Sequence, residues 1–416
     1  MAKDGTAHRR LPLAQPVRFG GVSAPSSRRE SRSAERLRGV GSTIFAEMSA
    51  LAARTGSVNL GQGFPDRSGP ASVVEVAYDA MRAGRNQYPP GHGSQELVAA
   101  VIRHQRRHYG LDLSPDQVVV TTGATEAIAG ALLGLVDPGD EVVVCEPYYD
   151  SYRAMIQFAG GVRRPVTLRS PDYRLEAKEL EAAVTDRTRL ILLNSPHNPT
   201  GRVLDSAELA AVADVARRHD LVVVTDEVYE HLTFDDHTHI PISTLPGMFE
   251  RTLTISSSGK TFSFTGWKIG WATGPADLVA AVEGAKNWLS YSSGAPFQPA
   301  IAHALDHEET FHEQLRDDLA RRRDFLCDGL DTLGLQVHVP QGTYFVSTEV
   351  SSLGHVDGIA FCAAMAERAQ VVAIPTQVFY EDDSADGRHL IRWAFCKEQD
   401  VLDEGVRRLR AADLRA

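Results

Sequence analysis

Cysteine, lysine and long apolar runs are all scarce in this chain of 416 residues. Its four cysteines form no C-x-x-C pair, which argues against a disulfide scaffold or a zinc ribbon and predicts a cytoplasmic protein. Apolar runs such as residues 221–224 are far shorter than the roughly 20 residues that a membrane helix requires. We therefore expect a protein that does not associate with membranes.

Positive charge is also in short supply, since 43 Lys and Arg residues face 54 Asp and Glu residues for a net charge of -11. An acidic protein lacks the basic surface that holds a phosphate backbone, so we expect no nucleic-acid partner. The length and the 43% of hydrophobic residues instead predict a globular protein of two domains that binds small molecules.

The first part of the chain differs from this pattern. Residues 1–40 carry nine Lys and Arg residues against three Asp and Glu residues, with five Ser residues and few apolar positions. Low hydrophobicity and the lack of periodicity predict that residues 1–35 are a disordered basic arm. The next segment, residues 36–65, is expected to pack on a small C-terminal domain.

From about residue 95 the sequence alternates between short apolar runs and amphipathic stretches. Several runs are uninterrupted Val, Ile and Leu, as expected for strands with helices on both faces of their sheet. The predicted strands are residues 118–121, 141–145, 190–194, 221–225 and 252–256, and the predicted helices are residues 124–135, 176–184 and 206–218. This alternation predicts an α/β fold with an open, mostly parallel sheet, in which ligands bind beyond the carboxyl ends of the strands.

The pattern changes past about residue 300. A long charged helix is predicted over residues 308–333, followed by strands in residues 338–349 and 389–395. These elements indicate a smaller α+β domain. We therefore expect a large domain over residues 66–298 and a small domain over residues 299–416.

Lys260 is one of only six lysines, and it lies in a Ser/Gly turn directly after a predicted strand. A lysine beside an apolar stretch can lose its proton through desolvation and act as an amine nucleophile, which arginine cannot do. A solvated loop lysine is the alternative at this point, because burial is not visible in a sequence.

Two other strand ends carry groups suited to a charged ligand. The turn Thr122-Gly-Ala-Thr125 joins a strand to a helix and presents backbone N–H groups that suit a phosphate, with ordinary capping by either threonine as the alternative. Asp226 ends a buried strand, where its carboxylate could hold a proton on a heterocyclic nitrogen or simply cap a helix. Tyr229 follows and could donate to an oxygen beside that nitrogen.

Asn198 and Arg392 are further candidates. Asn198 stands in a turn with two prolines and a glycine, a composition that indicates a turn without indicating a ligand. Arg392 lies in the middle of an alternating apolar strand and needs an anionic partner, which is either a bound carboxylate or an internal Asp or Glu.

Together these segments resemble the fold-type I, class I aminotransferases that use pyridoxal 5'-phosphate (PLP), especially the kynurenine, glutamine and methionine aminotransferase group. The resemblance spans about residues 40–410 and rests on the order and spacing of short motifs. They are residues 59–66 (NLGQGFPD), 88–91 (YPPG), 122–125 (TGAT), 146–150 (EPYYD), 194–201 (NSPHNPTG), 226–229 (DEVY), 257–268 (SSGKTFSFTGWK) and 341–345 (QGTYF).

The resemblance implies a role for each candidate residue. Lys260 is the implied catalytic lysine, which binds the cofactor aldehyde as a Schiff base and moves a proton at the substrate α-carbon. Asp226 keeps the pyridine nitrogen protonated, and Arg392 takes the substrate α-carboxylate. The other implied contacts are Asn198 and Tyr229 on the ring oxygen, Tyr149 stacked on the ring, Asn198 and Gly63 beside the substrate carboxylate, and Ala124, Thr125, Ser257, Lys268 and Tyr88 on the phosphate. Tyr88 would reach across from a second subunit, which implies a homodimer.

The implied reaction has two halves, in which an L-amino acid leaves its nitrogen on the cofactor and a 2-oxo acid then collects it. An aromatic or sulfur-containing amino acid is the first expectation. Residues 287–298 (NWLSYSSGAPFQ) depart from the kynurenine-type pattern and are more similar to N-succinyldiaminopimelate aminotransferases, which gives an alternative substrate. Elimination at a sulfur-bearing amino acid by a C–S lyase, or a specialised step of secondary metabolism, is a further alternative on the same cofactor.

Two other interpretations are weaker. Residues 257–260 match the S-x-x-K pattern of some serine hydrolases, but the companion motifs are missing. Several histidines, namely His237, His239, His303, His307 and His312, are spaced as if they could share a ligand. No carboxylate or cysteine set completes a metal site, so we expect solvated histidines and no metal.

Overall fold

The computed structural model describes residues 33–41, 43–382 and 384–416. The chain divides into two units, residues 1–41 and residues 42–416. The described part of the first unit contains a single 3-10 turn, Glu35–Leu37, and an ion pair of 3.6 Å between Arg38 and Glu35. Most of the predicted basic arm, residues 1–35, lies outside the described residues.

The second unit contains the sheets and the α-helices. The strands of its described residues are β1 (Val58–Asn59), β2 (Val118–Thr121), β3 (Glu141–Glu146), β4 (Val162–Thr167), β5 (Thr188–Asn194), β6 (Val222–Asp226), β7 (Thr252–Ser257), β8 (Gly270–Thr273), β9 (Gln336–His338), β10 (Phe345–Glu349), β11 (Val371–Val372), β12 (Ile374–Pro375) and β13 (Leu390–Ala394). The helices are α1 (Ile44–Thr55), α2 (Ala71–Arg82), α3 (Gln95–Tyr109), α4 (Gly123–Leu135), α5 (Asp150–Ala159), α6 (Ala177–Ala183), α7 (Ser206–Arg218), α8 (Ser258–Thr261), α9 (Ala276–Lys286), α10 (Phe297–His307), α11 (Glu309–Asp331), α12 (Gly358–Arg368) and α13 (Gln399–Ala411).

The largest sheet has seven strands in the order β2-β8-β7-β6-β5-β3-β4. Strand β8 runs antiparallel to both of its neighbours, and the other adjacent strands pair in parallel. The prediction of an α/β fold with a mostly parallel sheet is therefore confirmed. The sequence pattern missed β4 because Arg163, Arg164 and Pro165 interrupt it, which is tolerated at the edge of a sheet.

Helices cover both faces of this sheet. Val142 and Val144 of β3 belong to the apolar cluster formed with α4, α5 and α9, whereas Val143 and Cys145 belong to the cluster formed with α6 and α7. Because successive side chains of a strand point to opposite faces, a strand with two buried faces must be apolar throughout. This explains the uninterrupted Val runs.

Helix α7 shows how local sequence fixes an element next to the sheet. Asp205 accepts hydrogen bonds from the N–H groups of Ala207 and Glu208, and the Glu208 carboxylate accepts one from the Asp205 N–H at 2.9 Å. This reciprocal pair is a capping box, which starts the helix at Ser206 as predicted.

A second sheet has four strands in the order β12-β13-β10-β9, all antiparallel. Helices α11 and α12 pack against this sheet, and α13 packs on α11, so the predicted α+β part is confirmed. The single strand predicted over residues 338–349 is wrong, because Pro340 and Gly342 separate β9 from β10. The domain boundaries at residues 66 and 299 stay a prediction.

In the described ranges, none of the helices combines the length and the apolar composition that a passage through a bilayer demands.

Candidate active site

A cavity of about 350 Å³ lies at the carboxyl ends of the parallel strands. Strands β5, β6 and β7 are adjacent in the sheet, so that Asn194 and Asp226 are register partners and Ser257 ends the next strand. All three residues line the cavity. The position agrees with the expectation that ligands of an open α/β sheet bind at this edge.

The structure brings almost all of the predicted site residues to this cavity. The lining includes Gly63, Ala124, Thr125, Tyr149, Asn198, Asp226, Tyr229, Ser257, Lys260, Lys268 and Arg392. Tyr88 lies outside the described lining, and 81% of its surface is exposed. The individual roles of these residues stay predictions.

Lys260 lies on the short helix α8, directly after β7, and its amine faces the cavity. Its Nζ donates a hydrogen bond to the Tyr344 hydroxyl at 2.9 Å, and that hydroxyl donates to the Gly63 carbonyl at 2.7 Å. Burial lowers the pKa of Lys260 to about 8, with Lys268 and Arg392 acting in the same direction. The alternative of a solvated loop lysine is therefore wrong.

The lowered pKa gives a testable titration. Because burial disfavours the ammonium form, the neutral and nucleophilic fraction of Lys260 should rise with pH through about 8 instead of through 10.5. We expect this midpoint when cofactor-free protein is labelled with trinitrobenzenesulfonate across a pH series and the Lys260 peptide is quantified. The same peptide labelled in the unfolded chain is the matched control, and equal midpoints in the two states would contradict the prediction.

Asp226 is a buried carboxylate held at the end of β6. It accepts hydrogen bonds from the Tyr152 hydroxyl at 2.7 Å and from the Val228 N–H at 3.3 Å. Burial raises its pKa, which the hydrogen bond from Tyr152 opposes. Asn194 fixes the surrounding loop, because its amide donates to the Asp226 carbonyl and its oxygen accepts the Asn198 N–H, both at 2.8 Å. A buried carboxylate aimed into a cavity suits a cationic ring nitrogen.

The other end of the cavity suits a phosphate. Helix α4 begins at Gly123, which has a φ of +73°, and the Thr122 side chain makes no capping hydrogen bond. The capping alternative is therefore wrong for Thr122, and the positive end of the helix dipole faces the cavity. A Cβ added to Gly123 would lie 3.2 Å from Nζ of Lys268, and one added to Gly270 would lie 2.8 Å from N of Ala124. Because Gly123 and Gly270 have no side chains, the first turn of α4, β8 and Lys268 can lie close together at this end of the cavity.

Arg392 is the central residue of β13, between β12 and β10. Its Nη1 donates to Oδ1 of Asn198 and its Nη2 donates to the Gly61 carbonyl, both at 3.0 Å, and the Phe345 ring centroid lies 3.9 Å from the guanidinium. In the described ranges its buried Nε has no hydrogen-bond partner and no carboxylate forms an ion pair with it. The alternative of an internal Asp or Glu partner is therefore wrong for the described residues, and the guanidinium has no carboxylate partner of its own among them.

These features fit PLP. The cavity offers an amine for an aldehyde, a buried carboxylate for a pyridine nitrogen, and a helix N-terminus with a lysine for a phosphate. It also offers the Arg392 guanidinium, which lines the cavity and forms no ion pair with a described carboxylate, for a substrate carboxylate.

Two tyrosines of this site were missed in the sequence. Tyr152 bonds Asp226 and stands three residues after Tyr149 on α5, a helical spacing that could have indicated a shared face. Tyr344 bonds Lys260 and belongs to the 341–345 motif, to which no residue role was attached. Both contacts depend on how these segments pack, which spacing alone does not determine.

The prediction of solvated histidines is wrong for His239 and His312, which are both buried. His239 Nε2 lies 2.9 Å from the Glu227 carboxylate, and the His312 ring stacks on His231 with centroids 4.2 Å apart. Tertiary packing decides the exposure of such residues, and it is invisible in their spacing along the chain.

Comparison with known proteins agrees with this geometry. The family model for "Aminotransferase class I and II" matches residues 55–409. A probable N-succinyldiaminopimelate aminotransferase of Mycobacterium tuberculosis is 52% identical over 385 residues, which cover 90% of this chain and 97% of that protein. The methionine aminotransferase of Escherichia coli is 37% identical, with 89% of this chain and 96% of that protein covered.

Solved structures give the same result. The N-succinyldiaminopimelate aminotransferase structure from M. tuberculosis superposes with a TM-score of 0.89 at 52% identity and covers 91% of this chain and 99% of that chain. The aspartate aminotransferase of Thermus thermophilus with maleate has a TM-score of 0.84 at 32% identity, with 90% and 98% covered. The chain therefore belongs to the class I and II aminotransferases, a family of fold-type I enzymes, and it is a PLP-dependent transaminase.

Proposed function

We propose that this enzyme transfers the amino group of an N-succinyldiaminopimelate-type substrate to or from a 2-oxo acid, and that it works as a cytoplasmic homodimer. The M. tuberculosis relative that bears this substrate in its name is 52% identical, against 37% for the methionine and the mouse kynurenine aminotransferases. The alternative substrate is thus better supported than the first expectation of an aromatic or sulfur-containing amino acid.

The charge of the cavity supports an anionic cofactor and an amino acid substrate. Among the described residues its lining has three basic side chains, Lys260, Lys268 and Arg392, against the carboxylate of Asp226. The whole chain nevertheless carries a net charge of -11. A positive cavity in an acidic protein concentrates anions such as a phosphate and an α-carboxylate at the site.

The proposed roles follow from the positions of the side chains. PLP, when bound, supplies an aldehyde and an electron-withdrawing ring that make the substrate α-proton acidic. Lys260 would hold the cofactor through its aldehyde, and the Lys260 amine would carry the proton at the substrate α-carbon. Asp226 retains the proton on the pyridine nitrogen, and Arg392 with Asn198 orients the α-carboxylate. The proposed cofactor contacts are completed by Asn198, Tyr149, Tyr229, Ala124, Thr125, Ser257 and Lys268, and Gly63 lies beside the substrate α-carboxylate.

A donor comparison tests the proposed substrate. We expect kcat/KM for N-succinyl-diaminopimelate with 2-oxoglutarate to exceed that for methionine or kynurenine by roughly 100-fold, because a pocket that fits one side chain discriminates against others by about this factor. Glutamate formation is the measurement. A faster reaction with methionine or kynurenine would contradict the proposal, and pyruvate and ammonia released without an oxo-acid acceptor would favour a lyase.

An exposed aromatic surface supports the homodimer. Tyr88, Trp288, Leu289 and Tyr291 are exposed by 81%, 91%, 55% and 46%, and the Tyr88 and Tyr291 rings lie 5.9 Å apart. The neighbouring Ser290 and Ser293 hydroxyls lie within hydrogen-bonding distance of Thr122, so this surface adjoins the phosphate end of the cavity. Large exposed apolar side chains grouped in this way mark an interaction surface.

The dimer predicts a specific effect at Tyr88. We expect a solution mass of about twice the 45.3 kDa of the chain. We also expect Tyr88→Phe to weaken PLP binding roughly tenfold through loss of one charge-assisted hydrogen bond. Tyr78→Phe is the matched control, because Tyr78 is 50% exposed on α2 and outside the described cavity lining. A monomeric mass, or equal PLP affinities of the two variants, would contradict this prediction.

The cysteines support the proposed compartment. All four are buried and unpaired, as is usual in a reducing cytoplasm.

A further inference from the structure

Four histidines from three separate parts of the chain form one cluster behind the active site. His104 and His108 lie on α3, His231 follows β6, and His312 lies on α11. One ring nitrogen from each of His104, His108 and His231 lies within 4.8 Å of the other two. Nε2 of His104 is 2.8 Å from Nε2 of His231. The tertiary fold therefore places His104 and His231, which are 127 positions apart in sequence, in direct contact.

The cluster has unused ligand atoms. Nδ1 of His104 and Nε2 of His108 are buried and have no hydrogen-bond partner in the described ranges. A buried polar atom left without a partner costs roughly 1–3 kcal/mol, so such atoms indicate a missing partner. The four-residue spacing of His104 and His108 puts both rings on one face of α3, a helical arrangement that suits a metal ion.

The geometry of the cluster requires an unprotonated ring nitrogen. Nε2 of His104 and Nε2 of His231 lie 2.8 Å apart in a hydrogen bond, so one of these two nitrogens has to be the unprotonated acceptor. The unprotonated imidazole nitrogen is also the form that binds metals. The Glu230 carboxylate accepts a hydrogen bond from Tyr109, whose ring centroid lies 6.0 Å from that of His108, so it places negative charge close to the cluster.

We propose that His104, His108 and His231 bind a divalent transition-metal ion, with Zn²⁺ as the first choice. Tetrahedral Zn²⁺ with Zn–N distances of about 2.0–2.1 Å needs ligand nitrogens about 3.3 Å apart. Nε2 of His104 and Nε2 of His231 now share a hydrogen bond at 2.8 Å, so an ion would replace that bond and separate the two nitrogens by roughly half an ångström. The ring nitrogen of His108, within 4.8 Å of the other two, would move closer to them. None of these three histidines is among those considered in the sequence, and His231 joins the α3 pair only through the tertiary fold.

A bound ion would link α3 to the segment that carries cofactor contacts. His231 stands two residues after Tyr229 and five after Asp226. Between them, Glu230 accepts hydrogen bonds from the Tyr109 and Ser256 hydroxyls, both at 2.5 Å. The ion would thus stabilise the fold beside the PLP site without touching the cofactor.

Metal titration of the holoenzyme tests this proposal. We expect chelator-treated protein to take up one Zn²⁺ per chain in isothermal titration calorimetry, with a rise in Tm. We expect His108→Ala to weaken that binding roughly tenfold or more. His307→Ala is the matched control, because His303 and His307 share the same spacing on α10, with rings 4.6 Å apart, but lack a third histidine among the described residues.

Co²⁺ supplies a readout on the unmodified protein, independent of any variant. Four-coordinate Co²⁺ bound by three imidazoles has visible d–d bands that are far stronger than the weak bands of hydrated Co²⁺, and Zn²⁺ should remove these bands by displacing the Co²⁺. The proposal is overturned if the unmodified protein shows neither saturable Zn²⁺ binding nor these bands. It is also overturned if folded His108→Ala binds Zn²⁺ as tightly as His307→Ala does.

Discussion

Replacing Lys260 with alanine should reduce the rate of amino transfer by roughly 10⁴-fold or more, because one amine both holds the cofactor and moves the proton. The structure places the Lys260 amine where it can bind an aldehyde and move a proton. Its Nζ lies in the cavity with Asp226 and Arg392, and burial lowers its pKa to about 8, so a useful fraction is neutral near physiological pH.

The measurement is single-turnover conversion of the PLP form to the aminated form with saturating amino acid, followed by absorbance. Lys178→Ala is the matched control, since Lys178 is an exposed lysine on α6. We expect the control to react at the unmodified rate. A Lys260→Ala enzyme that keeps a tenth of the normal rate would show that another group moves the proton.

Arg392→Gln should lower kcat/KM for every amino donor by roughly 30-fold to 1,000-fold, the cost of removing one partner of a buried, hydrogen-bonded charge pair. The buried Nε of Arg392 has no partner in the described part of the chain, and Asn198 and Gly61 hold the other two nitrogens. The guanidinium is therefore held in place and lacks an ion pair with a described carboxylate before substrate binds, so a substrate carboxylate that reaches it in the cavity gains a charge-assisted hydrogen bond.

Two comparisons sharpen this prediction. Arg392→Lys keeps the charge but loses the two-pronged geometry, so we expect a loss between those of the unmodified enzyme and Arg392→Gln. Arg321→Gln is the surface control, because 72% of the Arg321 side chain is exposed and it pairs only with Asp318 in the described ranges. The effect should fall mainly on KM, since the carboxylate is bound in both the ground state and the transition state. An unchanged KM in Arg392→Gln would contradict the assignment.

The core of the large sheet could be predicted because its strands are buried on both faces. The bounds of β2 and α7 agree with the prediction, since an uninterrupted Val run and a capping box leave few alternatives. Strand β4 could not be predicted, because Arg163 and Arg164 are compatible with an edge position that only the assembled sheet reveals.

Some residues of the site could likewise be predicted from the sequence, and others could not. Asp226 and Asn198 stand after strands, so the rule for open α/β sheets indicated them. The partners Tyr152 and Tyr344 could not be predicted, because a hydrogen bond between segments that are distant in sequence produces no periodic pattern. Their contacts depend on how α5 and the residue before β10 pack in the folded chain. The burial of His312 could not be predicted either, because its spacing from other histidines fits an exposed position as well as the buried cluster that it joins.

The central claim is that the Lys260 amine alone binds the PLP aldehyde. Borohydride reduction of the purified holoenzyme, followed by peptide mapping with mass spectrometry, tests it most directly. The account predicts one stable phosphopyridoxyl adduct per chain, on the peptide that contains Lys260. An adduct on any of the other five lysines, or a protein that takes up no label when PLP is supplied, would contradict it.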